Sequence, residues 1–235
     1  SPKGNKMFLI WQPPAVMNKK GQTVSQASHE RFVPRVLATV ETARLLLHLI
    51  SCNTSIKVIV FCSIRKICEL LMREIRLLLP EYPQVSEGDI MSYRGGYLKL
   101  DRRKIELRMF NGELRAIIAT NALELGIDLS ELDVVISCGY QFLKANMHQQ
   151  FGRAGRTKNS NSLAIYVCGA TAIDMHYVSH PEELHGKDYE DLCIEGMVEL
   201  LQMLLMELHL QCAAFELPIS IADDIHWFVG ENLEN

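Results

Sequence analysis

The chain has 235 residues, 48% of them hydrophobic and 22% charged, a composition that suits one large globular domain or two small ones. No run of about 18 apolar residues occurs and the polar start Ser1–Gly4 is unlike a signal peptide, so neither a membrane segment nor secretion is expected. Residues 1–178 carry 23 Lys and Arg against 15 Asp and Glu, whereas residues 179–235 carry one Lys against 13 acidic residues, so only the first part suits a polyanion.

Predicted strands and helices alternate over the first part of the chain. Met7–Trp11 is typical of a strand, which Pro13 and Pro14 end. Apolar residues recur at helical spacing from Ser25 to about Ile50, and Pro34 suggests that the helix proper begins there. The later predicted strands are Lys57–Cys62, Asp89–Ser92, Arg115–Ala119, Asp133–Ser137 and Leu163–Cys168, and the later helices are Ile64–Leu79, Leu98–Phe110, Ala145–Phe151 and Thr171–Val178.

This alternation predicts βαβ units, and hence an α/β RecA-like fold with a parallel sheet and helices on both faces. Beyond His180 and Pro181 the alternation stops, because Asp188–Gln211 is helical and rich in Leu and Met. Cys212–Leu217 follows and Pro218 ends it. We therefore expect a RecA-like lobe over residues 1–178 and an acidic C-terminal helical appendage over residues 179–235.

The seven cysteines include no C-x-x-C pair, and several lie inside apolar segments. They are expected to be reduced core thiols of an intracellular protein. A zinc site drawing on scattered Cys and His is an alternative, although the usual ligand spacings are absent.

The most informative stretch is Gln149–Arg156, of sequence Q-Q-F-G-R-A-G-R. The planar guanidinium groups of Arg153 and Arg156 match phosphate oxygens two at a time. Gly152 and Gly155 leave the backbone open to a ligand or a facing surface. The stretch therefore predicts a phosphate-binding element, and a solvated basic helix end is the alternative.

Other polar residues directly follow predicted strands, where ligands of a doubly wound sheet collect. We expect the functional groups, Gln149–Arg156 included, to gather at the carboxyl ends of the strands. The basic stretch Arg94–Arg108 fits a solvated helix as well as a phosphate-facing one. Tyr93, Tyr97 and Phe142 are expected to be core or rim residues rather than base-stacking platforms. The residues that follow strands are Ser63, Arg94, Gly95, Thr120 and Asn121.

Two stretches resemble helicase motifs. Gln149–Arg156 is similar to the sixth motif of superfamily 2 helicases, and Thr120–Asp128 to the fifth, A-T-x-x-x-x-x-G-I-D. Ser63 and Arg94-Gly95 match the fourth motif and its satellite less sharply. RNA helicases of the DEAD-box type usually carry His where Gln149 stands. Similarity to the Hrq-type, RecQ-related DNA helicases rests on Phe8–Pro14, Tyr93–Tyr97, Gln149–Arg156 and His209–Pro218.

The resemblance implies the second motor lobe of an ATP-dependent 3′-to-5′ DNA helicase that maintains the genome in the nucleus. It implies single-stranded or forked DNA as partner, a first RecA-like lobe in cis that shares ATP and Mg²⁺, other repair proteins as further candidate partners, and no membrane. It assigns Arg153 and Arg156 to catalysis, Gln149, Gly126 and Asp128 to the nucleotide, and Ser63, Arg94, Gly95, Thr120 and Asn121 to the phosphates of the nucleic acid.

Two expected absences limit this interpretation. The sequence has no G-x-x-x-x-G-K-[ST] phosphate loop. A D-E-x-H box for magnesium is also missing, because Ala222–His226, which superficially resembles one, follows the sixth motif, whereas the family places that box before the fourth motif. The chain alone is thus expected not to hydrolyse ATP. The resemblance places the family's four-cysteine cluster outside these residues, so no metal site is predicted. The alternative function is a non-catalytic nucleic-acid-binding or regulatory lobe, or an RNA helicase lobe.

Overall fold

In the computed structural model, six parallel strands form a sheet in the order β1-β6-β5-β2-β4-β3. The structure describes residues 5–16, 34–93, 96–120, 132–155, 161–185, 203–218 and 220. The strands are β1 Lys6–Trp11, β2 Val58–Cys62, β3 Ile90–Tyr93, β4 Ala116–Ala119, β5 Val134–Cys138 and β6 Ser162–Val167.

Helices cover both faces of this sheet, as the sequence predicted. Every residue of β2 and β5 is buried, since central strands of a parallel sheet are enclosed on both sides. Leu47 and Leu71 pack on one face, and Ile105 and Met147 on the other. The helices are α1 Ala38–Cys52, α2 Arg65–Leu78, α3 Lys99–Phe110, α4 Lys144–Phe151, α5 Ala172–Ser179, α6 Pro181–His185 and α7 Met203–Glu216.

Helix α1 begins four residues after Pro34, the predicted start. The chain before it is extended, because Arg35 forms an antiparallel bridge with Ala15. Two backbone hydrogen bonds, from Val36 N to the Pro14 carbonyl and from Val16 N to the Pro34 carbonyl, hold this bridge. The predicted helical positions 25–33 lie outside the described residues.

The chain divides into two compact units, Ser1–Lys187 and Asp188–Asn235. The division falls nine residues after the predicted boundary at residue 178. Helix α6 belongs to the first unit because Leu184 is buried and its carbonyl lies 2.9 Å from His148 Nε2 of α4. The second unit contains α7, which runs through Gln211 as one continuous helix and ends before Pro218.

Four of the six described cysteines fit the prediction of reduced core thiols, whereas Cys52 and Cys212 are exposed and therefore do not lie in the core. Cys62, Cys68, Cys138 and Cys168 are buried and free, and burial raises the pKa of Cys168 to about 12. The Cys168 thiol therefore stays protonated at neutral pH. Cys193 lies outside the described residues. Within the described ranges, no helix has both the length and the apolar character needed to cross a bilayer.

Candidate functional site

Two of the predicted phosphate-binding residues meet at the carboxyl edge of the sheet. Ser63 directly follows β2, and Thr120 directly follows β4. The two strands are neighbours in which Phe61 pairs with Ala119, so Ser63 and Thr120 leave the sheet side by side. Ser63 is half-buried and Thr120 is buried. The other residues predicted for this edge, Arg94, Gly95 and Asn121, lie outside the described residues, as do Gly126 and Asp128, which the resemblance assigns to the nucleotide.

The start of α2 adds positive charge to this edge. The helix begins two residues after Ser63 and has no side-chain cap, so its first backbone N–H groups remain available to an anion. Arg65 and Lys66 in its first turn are exposed. The Arg65 guanidinium lies over Gly96, where an added Cβ would stand 3.4 Å from Nη2. Sequence analysis missed Arg65 and Lys66, although their position just after a buried strand was visible.

A buried amide connects two strand ends at the same edge. Gln141 is 2% exposed, and its Nε2 lies 3.5 Å from the carbonyl oxygens of Phe61 and Cys138. It also donates to the Gly139 carbonyl at 3.2 Å. Gln141 therefore links the end of β2 to the turn after β5, a role that its surroundings in sequence do not indicate.

The three aromatic residues near the strand ends differ in exposure. Tyr93 is buried, and burial together with its hydrogen bond to Glu106 raises its pKa to about 12. Tyr97 is half-buried and its hydroxyl lies 2.8 Å from Ser92 Oγ. Phe142, by contrast, is 65% exposed and has a φ of 63°. Core or rim positions were predicted for all three residues. Tyr93 lies in the core and Tyr97 is half-buried, whereas the ring of Phe142 faces solvent.

The second half of the Gln149–Arg156 stretch lies at the opposite, amino edge of the sheet. Helix α4 runs back from the end of β5, and Lys6 Nζ at the start of β1 donates to the Phe151 carbonyl. Ala154 then bridges Leu132, just before β5, and Gly155 N donates to the Leu132 carbonyl at 3.1 Å. The expectation that this stretch joins Ser63 at the carboxyl ends is therefore wrong, because α4 carries it across the sheet.

The side chains of this stretch differ in accessibility. Gln149 is exposed, whereas Gln150 is fully buried. Arg153 follows the last turn of α4 and is only 8% exposed within its own lobe. Arg156 lies outside the described residues.

Gly155 has an internal reason to be glycine. Its φ of +70° lies in the left-handed region, which favours glycine. A Cβ at this position would lie 2.9 Å from the Ser162 Cβ and inside the van der Waals distance of its Oγ. The sequence suggested that Gly155 makes room for a ligand or a facing protein surface, and the structure shows that it makes room for Ser162 of β6.

The chemistry of the amino edge suits an anion. Lys6 and Arg153 bring positive charge there, which matches phosphate oxygens. A Mg²⁺ ion prefers carboxylate oxygens and water, so these two cations would hold the phosphates and not the metal. An open groove of about 840 Å³ lies along the same edge and is lined in part by Lys6, Asp133 and Ser162.

Two family models match the sequence. The helicase conserved C-terminal domain matches residues 41–158, half of the chain. The winged helix domain of ATP-dependent helicase HRQ1 matches residues 198–235. The chain therefore belongs to the family of helicase conserved C-terminal domains.

The proteins to which the chain is similar include helicases of the Hrq type. The chain is 42% identical over 238 residues to ATP-dependent helicase HRQ1 of Saccharomyces cerevisiae, covering 99% of the chain and 20% of that protein. It is 41% identical over 232 residues to hrq1 of Schizosaccharomyces pombe, covering 97% and 20%. The chain thus spans about a fifth of the length of these relatives.

A solved structure agrees. The DUF1998 helicase MrfA bound to DNA and AMPPNP superposes with a TM-score of 0.72 and 32% identity over 95% of this chain and 28% of that one. The Mycobacterium smegmatis helicase Lhr shares the fold, with a TM-score of 0.55 at 20% identity. The resemblance to Hrq-type superfamily 2 helicases and the RecA-like fold are confirmed.

Proposed function

We propose that this chain is the second motor lobe of an ATP-dependent 3′-to-5′ DNA helicase that maintains the genome in the nucleus. One observation carries the proposal: Arg153–Gly155 and the Ser63–Thr120 pair occupy opposite edges of one parallel sheet. MrfA, a structural neighbour, is described as bound to DNA and to an ATP analogue, which supports both ligand classes.

The amino edge would face the nucleotide. ATP and Mg²⁺ would be held mainly by a first RecA-like lobe in cis, and ATP supplies the phosphoryl group whose transfer drives the motor. Arg153 and Arg156 would stabilise the charge that develops on the γ-phosphate. Gln149, whose side chain is exposed, would contact the nucleotide together with Gly126 and Asp128.

The carboxyl edge would hold single-stranded or forked DNA. The Thr120 and Ser63 hydroxyls and the uncapped start of α2 can accept a phosphate without reading bases. Arg65 adds a charge beside Ser63, and Arg94, Gly95 and Asn121 would extend the grip along the strand. Contacts of this kind give binding that is independent of sequence and sensitive to salt.

The sheet would couple the two edges. Its central strands β2 and β5 are buried throughout, so the lobe should move as one body. When the cleft to the first lobe closes on ATP and reopens after hydrolysis, the phosphate grip at the carboxyl edge moves with it, and the strand advances.

We propose residues 1–178 as the motor lobe and residues 179–235 as the start of the family-specific extension, which includes the winged helix match. Other repair proteins could bind this extension.

The decisive test is Arg156→Ala in the complete helicase. We expect DNA-stimulated turnover to fall by a factor on the order of 10³, with DNA affinity nearly unchanged, because this charge acts in the transition state. Arg156→Lys should recover little, since an ammonium cannot replace the planar fork. Arg73→Ala, which removes an exposed arginine of α2, is the matched control and should retain full turnover.

Arg153→Ala needs a stability measurement beside the turnover assay. Because Arg153 is largely enclosed by its own lobe, its loss should lower both the melting temperature and the turnover. If Arg156→Ala kept more than a few per cent of turnover while Arg153→Ala abolished it, the role of arginine finger would pass to Arg153. If both variants hydrolysed ATP normally, the motor assignment would fail.

A further inference from the structure

Three potential metal ligands meet where α5 ends and α6 begins. His176 lies in the last turn of α5, His180 directly follows that helix, and Glu183 lies in α6. One ligand atom from each lies within 4.8 Å of the other two. All three side chains are exposed, so a solvated ion can reach them.

Hydrogen bonds already orient the two imidazoles. The Nδ1 of His180 lies 3.3 Å from the His176 carbonyl oxygen, which can only accept, so Nδ1 carries the proton. The Nε2 of His180 therefore keeps its lone pair. The two rings stack with centroids 4.8 Å apart, and His176 Nε2 lies 2.7 Å from Glu183 Oε2. A backbone carbonyl that fixes the tautomer of a ligand histidine is the usual support in metal sites.

The backbone that carries these ligands is held in place by buried contacts. Asp174, 1% exposed, bonds the hydroxyls of Thr171 and Tyr166 at the start of α5. Tyr177, next to His176, stacks on Tyr140 with centroids 5.4 Å apart. In α6, the buried Leu184 is the neighbour of Glu183. Metal binding would then require side-chain rotations and release of the proton that His176 Nε2 donates to Glu183.

We propose that His176, His180 and Glu183 form a site for a divalent transition-metal ion of the zinc class. Two imidazoles and one carboxylate are a known three-ligand set for Zn²⁺, and imidazole selects against Mg²⁺ and Ca²⁺. A tetrahedral ion with bonds of about 2.0–2.1 Å places its ligands about 3.3 Å apart, so ligand atoms that lie within 4.8 Å of one another must close by up to about 1.5 Å. The fourth position faces solvent. The bound ion would cross-link the end of α5 to α6 near the C-terminal end of the first unit.

The test is a titration of the reduced, chelator-treated 235-residue chain with ZnCl₂, followed by calorimetry. We expect one equivalent whose affinity falls on the order of tenfold or more in each of His176→Ala, His180→Ala and Glu183→Gln. Glu182→Gln is the matched control, because it removes the neighbouring exposed carboxylate of α6 and should leave binding unchanged. Since all three ligands are exposed, the metal-free variants should melt close to the wild-type temperature.

Zn²⁺ binding at a second exposed pair of potential ligands must be distinguished from binding at this site. His48 and Cys52 are also one helical turn apart, with Nε2 and Sγ at 3.7 Å. In His48→Ala the proposed equivalent should persist. If that variant lost it, or if the three ligand variants bound Zn²⁺ as tightly as the wild type, the proposal would be overturned. Neither ATP nor DNA enters the measurement, so the result is independent of the motor function.

Discussion

Gly155→Ala should destabilise the first unit far more than an ordinary glycine substitution. The left-handed φ of +70° costs an alanine about 1–2 kcal/mol. The new methyl would press on Ser162, and overpacking of this kind costs about 1–3 kcal/mol. Reduced freedom of the unfolded chain returns about 0.4–1 kcal/mol. The net loss is about 1–5 kcal/mol, or on the order of 10 °C in melting temperature for a unit of this size.

Gly112→Ala is the matched control. Its φ is +76°, yet no atom lies within 4 Å of the added Cβ, so only the backbone cost remains. We expect a loss of about 0–1.6 kcal/mol in that variant. Thermal and urea denaturation of the purified chain would measure both.

A double variant separates the steric part. Ser162→Gly removes both the Oγ and the Cβ that the new methyl would meet, so it should be less harmful in the Gly155→Ala background than alone. The reasoning is refuted if Gly155→Ala and Gly112→Ala lose equal stability. In that case the space beside β6 would not explain the glycine, and exposure to a ligand would again be the better reason.

Phe142→Gly should keep or raise stability by up to about 1 kcal/mol, since it relieves a φ of 63° and removes a ring that is already 65% exposed; a clear drop in urea midpoint would contradict this. Asp174→Ala should cost about 2–4 kcal/mol in thermal denaturation because it removes the carboxylate that accepts from the Thr171 N–H and hydroxyl and leaves the buried Tyr166 hydroxyl without its acceptor, and adding Tyr166→Phe should recover part of that loss. In the complete helicase, Arg65→Ala should reduce the salt dependence of DNA binding by about one phosphate contact, whereas Thr120→Ala should weaken binding and leave that salt dependence nearly unchanged. If both variants showed the same salt dependence, Arg65 would not contact a DNA phosphate.

The alternation of strands and helices was predictable from the sequence because both periodicities are local. Unbroken apolar runs such as Lys57–Cys62 and the helical spacing in Ile64–Leu79 need no distant partner to be recognised. The start of α1 was not predictable, since Pro34 is compatible with a helix and only the bridge between Arg35 and Ala15 keeps it extended.

The site was predictable in composition and not in arrangement. The residue types of Gln149–Arg156 and their fixed spacing predict phosphate binding. The family comparison confirms the resemblance to helicases that this stretch suggested. Which edge of the sheet it occupies depends on the length and direction of α4. The contributions of Arg65 and Gln141 likewise depend on neighbours distant in sequence, Gly96 and Phe61.

By itself, the sequence determined an α/β lobe with helicase-like motifs, because periodicity and motif spacing are properties of contiguous residues. The tertiary structure alone decided that the Ser63–Thr120 pair and Arg153–Gly155 lie at opposite edges, that Gly155 accommodates Ser162, and that His176, His180 and Glu183 converge. These facts depend on how helices return across the sheet and pack on each other, and that path is set by burial of both faces of the sheet rather than by any local stretch.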